Sequence, residues 1–486
     1  MQPIDVGDLA FDRHSSSLQK QLFSAIRSKI SEHLWAKGGK LPSTRKLSLE
    51  LGISRNTVIA VYEQLVAEGY LESRAGSGFY VAIELPDYTF SDYTFPDHAF
   101  PEHVSSTSKN VATQKSEVSS QELNRSFAPG VPDLAQFPLI KWNRLLQRHA
   151  TRVSLLGSQD IQGDRRLREA LCDYLSSSRS VSCSADQIVI TAGAQQALTI
   201  ALMATLKPND QVLMENPGYV QMRKSIDLLG LQLEPVEVVP KAGIDLDHIK
   251  ASTAKCLYVT PSNQYPMGTS VHLEQRIELV RWAREKSGWI IEDDYDSEFQ
   301  FAHRPYPSLQ GLSAEVGAKE RIFYIGSLSK VMFNGLRLGY LIVPQALLSR
   351  SLEIKDALSG DSPSHVQAAL ADFILEGDLL RHIRKMRRLY KHKYELMMEA
   401  IGTHFVGRVE VISQAAGLHI TFRWKEGCSE LELCQRAKEK GITIRPLSMY
   451  EHQPHTKRDW QAVVLGFGNI ELDDIDPKIA TLAQLL

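Results

Sequence analysis

Apolar positions along this chain fall into three regimes. Leu18, Leu22, Ile26 and Ile30 recur at helical spacing between residues 17 and 34. The stretch KLPSTRKLSLELGISRNTVIAVYEQLVAEGYLESRAGSGFYV follows. In it Pro42-Ser43-Thr44 offers a cap for a helix that runs to about Leu51 and stops at Gly52. Ser54 offers a second cap, for a helix with Val58, Val61, Tyr62 and Leu65 on its inner face that ends at Gly69. Alternation on both sides of Arg74-Ala75-Gly76-Ser77-Gly78 predicts a hairpin with a flexible, basic tip. A helix, a tight glycine turn, a capped helix and a hairpin make a winged helix-turn-helix.

Periodicity is then lost. Residues 84–125 hold four pentapeptides, PDYTF, SDYTF, PDHAF and PEHVS, followed by a Ser/Thr/Lys/Gln tract. Such a segment buries little and reads as an extended linker. The other reading docks its aromatics, Tyr88, Phe90, Tyr93, Phe95 and Phe100, on a neighbouring domain. From residue 126 short apolar strands alternate with amphipathic helices. QIVIT, DQVLME, CLYVT, WIIED and RIFYIGS read as buried parallel strands at β-α spacing. They predict a doubly wound α/β domain. The expected organisation is a DNA-binding domain over 1–83, a flexible linker over 84–125 and a large α/β domain over 126–486.

Composition agrees with several domains. The chain has 486 residues, 43% of them hydrophobic and 23% charged, with a net charge of -2. Charge is uneven: Arg13 to Val81 holds ten Lys/Arg and five acids, a local +5. This is either a surface for phosphates or an ordinary solvated face. The five cysteines are scattered without a C-x-x-C pair, so neither a disulfide framework nor a zinc site is expected, and a reducing compartment is. The acidic start MQPIDVGDLAFDR lacks an apolar core and does not read as a signal peptide; no run of 18 apolar residues exists. The expectation is a cytoplasmic protein with no membrane partner and no metal.

The predicted second helix of the N-terminal unit opens with Ser54, Arg55, Asn56 and Thr57. A recognition helix puts such residues near base edges in the major groove. Arg pairs bidentately with guanine and Asn with adenine, while Ser and Thr hold phosphates or merely cap the helix. Arg45 stands where it would clamp the backbone, and Arg74 and Gly76 sit at the wing tip. The string LPSTRKLSLELGISRNTVIAVYEQLVAEGYLESRAGSGFYV resembles the winged-helix domain of the GntR family of bacterial regulators over about residues 14–83. The resemblance implies a double-stranded DNA operator.

The large domain carries its most specific chemistry in GSLSKVMFNGLRLGYLIVP. Lys330 follows a predicted strand, flanked by Ser327 and Ser329, with Arg337 seven residues on. A lysine there can capture an aldehyde cofactor whose phosphate the hydroxyls and the guanidinium would hold. In WIIEDDYDSEF, Asp293 ends a strand where α/β sheets bind ligands, and a carboxylate there would keep a pyridine nitrogen protonated. Tyr295 would donate to the ring oxygen. Alternatively the acids form a solvated strand end or bind a metal. Gly193, Ala194 and Gln195 mark a strand-to-helix turn fit for a phosphate; Tyr219 is placed to stack on a ring, and Asn263 to approach the ring oxygen.

These motifs, in this order, resemble fold-type I pyridoxal-phosphate enzymes of the aminotransferase class over about residues 126–486. The resemblance implies pyridoxal 5′-phosphate, with Lys330 as the Schiff-base lysine, Asp293 on the pyridine nitrogen and Tyr295 on the ring oxygen. It further implies Ser327, Arg337 and the Gly193–Gln195 turn at the phosphate, with Tyr219 stacking. Joined to the winged helix, the whole chain resembles the MocR/GabR-type subfamily of GntR regulators, which implies a head-to-tail homodimer. It departs from that pattern at Asn263, where the subfamily often has His. Members that sense 4-aminobutyrate hold its carboxylate with two arginines; here those positions are Gln221 and Met449. Arg445, four residues before Met449, either substitutes as an effector contact or caps a strand. The expected function is therefore a transcription regulator that senses an amino compound or pyridoxal phosphate itself. The alternatives are a working aminotransferase with a DNA-binding tail and a scaffold with a cofactor-free domain.

Overall fold

The structure, a computed structural model, describes residues 18–31, 35, 38–67, 70–74, 77–82, 126–240, 243–301, 306–452 and 458–486. The segment expected as a linker, the wing-tip residue Gly76 and the expected helix stop at Gly69 lie outside the described residues. The chain forms two compact units, each described here by itself.

The N-terminal unit holds α1 (Leu18–Ser31), α2 (Thr44–Leu51), α3 (Arg55–Ala67), β1 (Leu71–Arg74) and β2 (Gly78–Val81). Its core gathers the apolar positions of the sequence pattern: Leu22, Ile26, Ile30, Leu47, Val58, Val61, Tyr62 and Leu65 are all buried. Ser43 caps α2 by accepting from Lys46 N at 3.2 Å, and Ser54 caps α3 by accepting from Thr57 N at 3.1 Å. Gly52 ends α2 at φ 62°, left-handed backbone that glycine adopts without strain. Tyr62 of α3 ties that helix to the segment before α2, its hydroxyl donating to Pro42 O at 2.9 Å. β1 and β2 pair antiparallel from Leu71↔Val81 to Arg74↔Gly78. The segment before α2 adds to the hairpin edge, with Leu41 N donating to Phe79 O at 2.9 Å and Val81 N to Gly39 O at 3.0 Å.

The C-terminal unit is built on an eight-stranded mixed sheet. Its strands are β3 (Ile188–Thr191), β4 (Gln211–Asn216), β5 (Gln232–Val239), β6 (Gly243–Ile244), β7 (Cys256–Val259), β8 (Trp289–Asp294), β9 (Ile322–Ser327) and β10 (Gly339–Ile342), in the order β3-β10-β9-β8-β7-β4-β5-β6. From β9 to β5 all neighbours are parallel, whereas β10 is antiparallel to both β9 and β3. All five predicted strands exist, yet QIVIT pairs only with the antiparallel β10. A short apolar run does not encode its direction, and the run after Arg337 is as apolar as any parallel strand.

Helices cover both faces. Val189, Val212, Tyr258, Ile291, Phe323 and Leu341 pack into one core; Leu213, Leu257, Ile290, Ile322 and the helix residues Leu279 and Trp282 form the other. Successive strand residues thus point into opposite cores, which is why the strands read as unbroken apolar runs. A smaller antiparallel sheet follows, of β11 (Glu410–Val411), β12 (His419–Trp424), β13 (Arg445–Pro446) and β14 (Gln461–Gly466), in the order β11-β12-β14-β13. No helix among the described residues is long and apolar enough to cross a membrane.

Leu65 has no exposed surface at the centre of the N-terminal core. We predict that Leu65→Ala costs that unit about 2–5 kcal/mol. Hydrogen exchange checks this: amides of α1–α3 should lose protection while those of β7–β9 keep theirs.

Candidate functional site

One edge of the large sheet collects the predicted residues. β3, β4, β7, β8 and β9 end there, and β10, running the other way, starts there. Gly193 therefore precedes the helix Ala194–Thr205 after β3, Tyr219 precedes the helix Val220–Leu228 after β4, and Asn263 follows β7. Asp293 is the penultimate residue of β8, Tyr295 follows the strand, and Ser327, Ser329 and Lys330 lie at and beyond the end of β9. Arg337 precedes β10.

Register brings the cation to the helix start. Gly339 pairs with Thr191 on one side and Ser327 on the other. A Cβ on Gly339 would lie 2.9 Å from the carbonyl carbon of Gly193, so only glycine allows this approach. The Arg337 guanidinium reaches within 3.5 Å of the place a Gly193 Cβ would occupy, and donates to Ala192 O at 3.3 Å. Gln195 is exposed at the same turn. Unpaired N–H groups at a helix start, a guanidinium and the Ser327 hydroxyl make an anion site. That hydroxyl also accepts from Ser329 N at 3.3 Å, which holds Ser329 in the turn leading to Lys330.

The Lys330 amine donates to Gly130 O, and any side chain at residue 130 would collide with it. Burial pulls the amine down to about 8, against the pull of the Asp296 carboxylate. Asp293 is pushed up to about 7 by burial; the Tyr258 hydroxyl, donating to Oδ2 at 2.9 Å, works against this and the Asp294 charge adds to it. Asp293 Oδ1 is buried and has no hydrogen-bond partner.

The expected strand-end acids are not solvated. Glu292 is buried and accepts from Leu309 N and Gln310 N, each at 2.9 Å. Asp294 is buried against Arg179 at 2.7 Å and the Tyr324 hydroxyl at 2.5 Å. Among the described residues no cluster of His, Cys, Asp and Glu is arranged to hold a metal ion.

The two residues expected at a ring oxygen are engaged elsewhere. Tyr295 donates its hydroxyl to the main-chain carbonyl of Asn263 at 2.7 Å, and Asn263 Nδ2 donates to both Asp296 oxygens at 3.1 Å. The sequence reading passed over Asp296, Tyr258 and Tyr265. Tyr265 centres an aromatic group, with ring centroids 5.7 Å from Tyr295, 6.3 Å from Tyr219, 5.1 Å from His419 and 5.2 Å from Tyr450. Burial keeps His419 neutral, lowered to about 4. Only the place of Tyr265 after a strand, two residues from Asn263, could have signalled it.

Arg445 lies on β13, half-buried, with Met449 Sδ 3.8 Å from its Nη1; it pairs with no carboxylate among the described residues. Arg223, one helical turn past Tyr219, instead donates to Glu451 O at 2.5 Å and Met449 O at 3.1 Å. In the N-terminal unit Arg45, Ser54, Arg55 and Asn56 are exposed and Thr57 is half-buried. Ser54 and Thr57 share a hydroxyl–hydroxyl bond of 2.9 Å, so both serve the cap. Arg74 is paired with Glu72 at 2.5 Å and stacked over the Tyr80 ring at 4.3 Å.

Residues 126–458 match the family described as Aminotransferase class I and II, and residues 18–81 match Bacterial regulatory proteins, gntR family. Over 476 residues the chain is 34% identical to the probable rhizopine catabolism regulatory protein MocR of Rhizobium meliloti, across 97% of this chain and 93% of that one. The chain belongs to the MocR-type subfamily of GntR transcription regulators. It is also 30% identical, over 98% of both chains, to the HTH-type pyridoxine biosynthesis transcriptional regulator PdxR of Corynebacterium glutamicum. LysN, an alpha-aminoadipate aminotransferase of Thermus thermophilus solved with N-(5'-phosphopyridoxyl)-L-leucine, shares the fold of the large unit. The TM-score is 0.68 at 24% identity, over 74% of this chain and 91% of that one. This MocR-type chain thus joins a GntR helix-turn-helix to an α/β unit of fold-type I aminotransferase class.

Burial of Asp293 gives this regulator a pH signature. With its carboxyl raised from 3.8 to about 7, the folded chain binds a proton that the unfolded chain has released. Its contribution to stability is present below the unfolded value and lost as pH rises through about 7. Urea unfolding of the cofactor-free chain should show Asp293→Asn gaining on the parent between pH 5 and pH 8; a constant difference would refute the shift.

Proposed function

We propose that this regulator binds pyridoxal 5′-phosphate at Lys330 and changes its hold on an operator when an amino compound, or the cofactor itself, occupies that site. The observation that carries the reading is Asp293 Oδ1, a buried acceptor without a partner on the same sheet edge as the Lys330 amine and the Arg337 anion site. A buried carboxylate oxygen is costly unless a donor meets it, and a protonated pyridine nitrogen is such a donor. When bound, the cofactor supplies an aldehyde that captures a primary amine. Gly193, Ala194, Gln195, Ser327, Ser329 and Arg337 would hold its phosphate, and Tyr219 would stack on its ring. Tyr295 would serve the ring oxygen by letting go of the Asn263 carbonyl; Asn263 would need to release Asp296.

Arg445 is proposed as the contact for an effector carboxylate, since its charge acts on the Tyr265–Tyr450 hydroxyl pair and it pairs with no carboxylate among the described residues. The name of PdxR, which refers to pyridoxine biosynthesis, makes a vitamer a candidate signal here. Without arginines at Gln221 and Met449 an amino acid is poorly positioned for transamination, so regulation is proposed as the role, with at most a residual half-reaction. We place DNA binding in residues 1–83, a linker in 84–125 and sensing in 126–486, in a cytoplasmic head-to-tail homodimer. Arg45, Ser54, Arg55, Asn56, Thr57, Arg74 and Gly76 form its DNA surface. Arg55 is exposed and unpaired among the described residues, which leaves it free for a base edge, whereas Arg74 would first have to release Glu72.

Two experiments test this reading. Lys330→Ala should lack the visible absorbance that borohydride abolishes in the parent as it fixes the cofactor to the lysine, keep operator binding, and lose its response to pyridoxal phosphate or amines. A reducible band in the variant would move the cofactor to another lysine. Arg55→Ala should weaken binding to the cognate operator by about 1–3 kcal/mol and relax preference at one base pair. An equal loss on every sequence would make Arg55 a phosphate contact.

A further inference from the structure

Of the five cysteines, Cys256 is buried in β7 and Cys428 donates to Leu485 O at 3.7 Å. Cys172 and Cys183 are the pair whose thiols hydrogen-bond each other, and both are half-buried. Cys172 lies on the helix Arg165–Arg179, between the buried Leu171 and Tyr174, and its Sγ donates to Cys183 O at 3.2 Å. The backbone is tied on both sides of Cys183. Ser182 N donates to Gln310 Oε1 at 2.9 Å, and Gln310 Nε2 donates to Ser182 O at 2.7 Å. Ser184 N donates to Gln187 Oε1 at 3.1 Å. Both glutamines are buried, so water does not loosen either tie. Two thiols in contact, each on anchored backbone, can join with little backbone movement.

The pair is asymmetric. An ionised Cys172 accepts the Cys183 S–H, which holds Cys172 below the ordinary thiol range against burial and the Asp173 charge. Cys183 is pushed up by the same bond, by burial and by the Cys172 charge, against Lys319. Cys172 therefore ionises first, and Cys183 stands beside it to react with whatever it forms. Redox-responsive cysteines share this arrangement of one accessible thiolate and one resolving thiol.

We propose that Cys172 and Cys183 form a reversible disulfide when the chain meets a small hydroperoxide. The Cys172 thiolate attacks the peroxide: an S–O bond forms, the O–O bond breaks, and the alkoxide departs with the proton that Cys172 gave up. The Cys183 sulfur then attacks the sulfenic sulfur of Cys172. The S–S bond forms, the S–O bond breaks, and hydroxide leaves with the Cys183 proton as water. Two thiols are oxidised and one hydroperoxide is reduced to an alcohol, or to water if the oxidant is hydrogen peroxide. The bridge closes a loop that contains Arg179. The Arg179 guanidinium holds Asp294 at 2.7 Å and Ser262 Oγ at 3.0 Å, the sequence neighbours of Asp293 and Asn263. Oxidation thus stiffens the segment that presents Arg179 to the functional edge. The inference goes beyond the cofactor reading and holds whether or not Lys330 takes a cofactor.

Intact mass and peptide mapping of the full-length chain, reduced and then exposed to hydrogen peroxide, test this. The parent should lose two hydrogens and two of its five free thiols, yield a peptide linked through Cys172 and Cys183 within one chain, and recover all five thiols with dithiothreitol. Cys183→Ser should leave a Cys172 sulfenic acid that dimedone traps. Cys172→Ser should react with peroxide about tenfold more slowly than the parent at neutral pH. Cys428→Ser should bridge like the parent. Amides from 173 to 183 should exchange severalfold more slowly in the oxidised parent than in the reduced one. The linked peptide is read on the parent itself, so the result does not depend on how the variants fold. The proposal is overturned if peroxide oxidises Cys428 or Cys434 before this pair, if the linkage joins two chains, if dithiothreitol fails to restore the thiols, if Cys172→Ser reacts as fast as the parent, or if exchange over 173–183 is unchanged by oxidation.

Discussion

The functional edge depends on the double pairing of Gly339. Because β10 runs against its neighbours, the residues before it start where β3 and β9 finish. Without that reversal Arg337 would sit at the far end of the sheet from Gly193, and the helix start after β3 would face no cation. The pairing is possible only because residue 339 lacks a side chain and its backbone can lie against the turn at Gly193. Seven residues separate Lys330 from Arg337 in sequence, so the same short excursion carries the amine and the guanidinium to their places.

Burial then sets the chemistry of that edge. Asp293 and Asp296 are raised, and Lys330 is lowered, because water is excluded from all three. Each shift brings the group's ionisation closer to neutral pH, so changes in nearby charge act on it. Structural charges beside them are treated differently. Asp294 Oδ2 has Arg179 and Tyr324, and Glu292 has two backbone N–H donors. Asp293 Oδ1, Asp294 Oδ1 and Asn263 Oδ1 are left without a hydrogen-bond partner at this edge.

Much of this was readable from sequence because local rules dominate there. Ser43, Gly52 and Ser54 are caps and stops whose chemistry depends on neighbours within four residues, and the helix-turn-helix followed from them. The strand ends bearing Asp293 and Lys330 followed from apolar runs buried on both faces. The rest depends on contacts between residues far apart in sequence. The direction of β10, the Tyr258 hydroxyl on Asp293 and the aromatic group around Tyr265 join segments whose proximity only the fold creates. Asn263 shows the limit most clearly. Its position at a strand end was legible, but its amide is turned by Asp296, thirty-three residues away, which converts an expected donor into an acceptor.

That turned amide also bears on how a ligand signal could leave the site. A ligand alters DNA affinity only through a difference in its interaction with two arrangements of the protein, and switches of this kind run on coupling of about 1–3 kcal/mol. One hydrogen bond to a charged group is worth about 1.5–3 kcal/mol. The Tyr295–Asn263–Asp296 chain contains such a bond, and Gly417, at the approach to β12, lies against its Asn263–Asp296 link. Breaking the link at Asn263 would free space and charge beside the loop that leads into the smaller sheet. The same bond that decides whether Asn263 offers a donor or an acceptor therefore has the right size, and the right neighbour, to pass the change on. No larger rearrangement inside the sensing unit is needed to supply the energy.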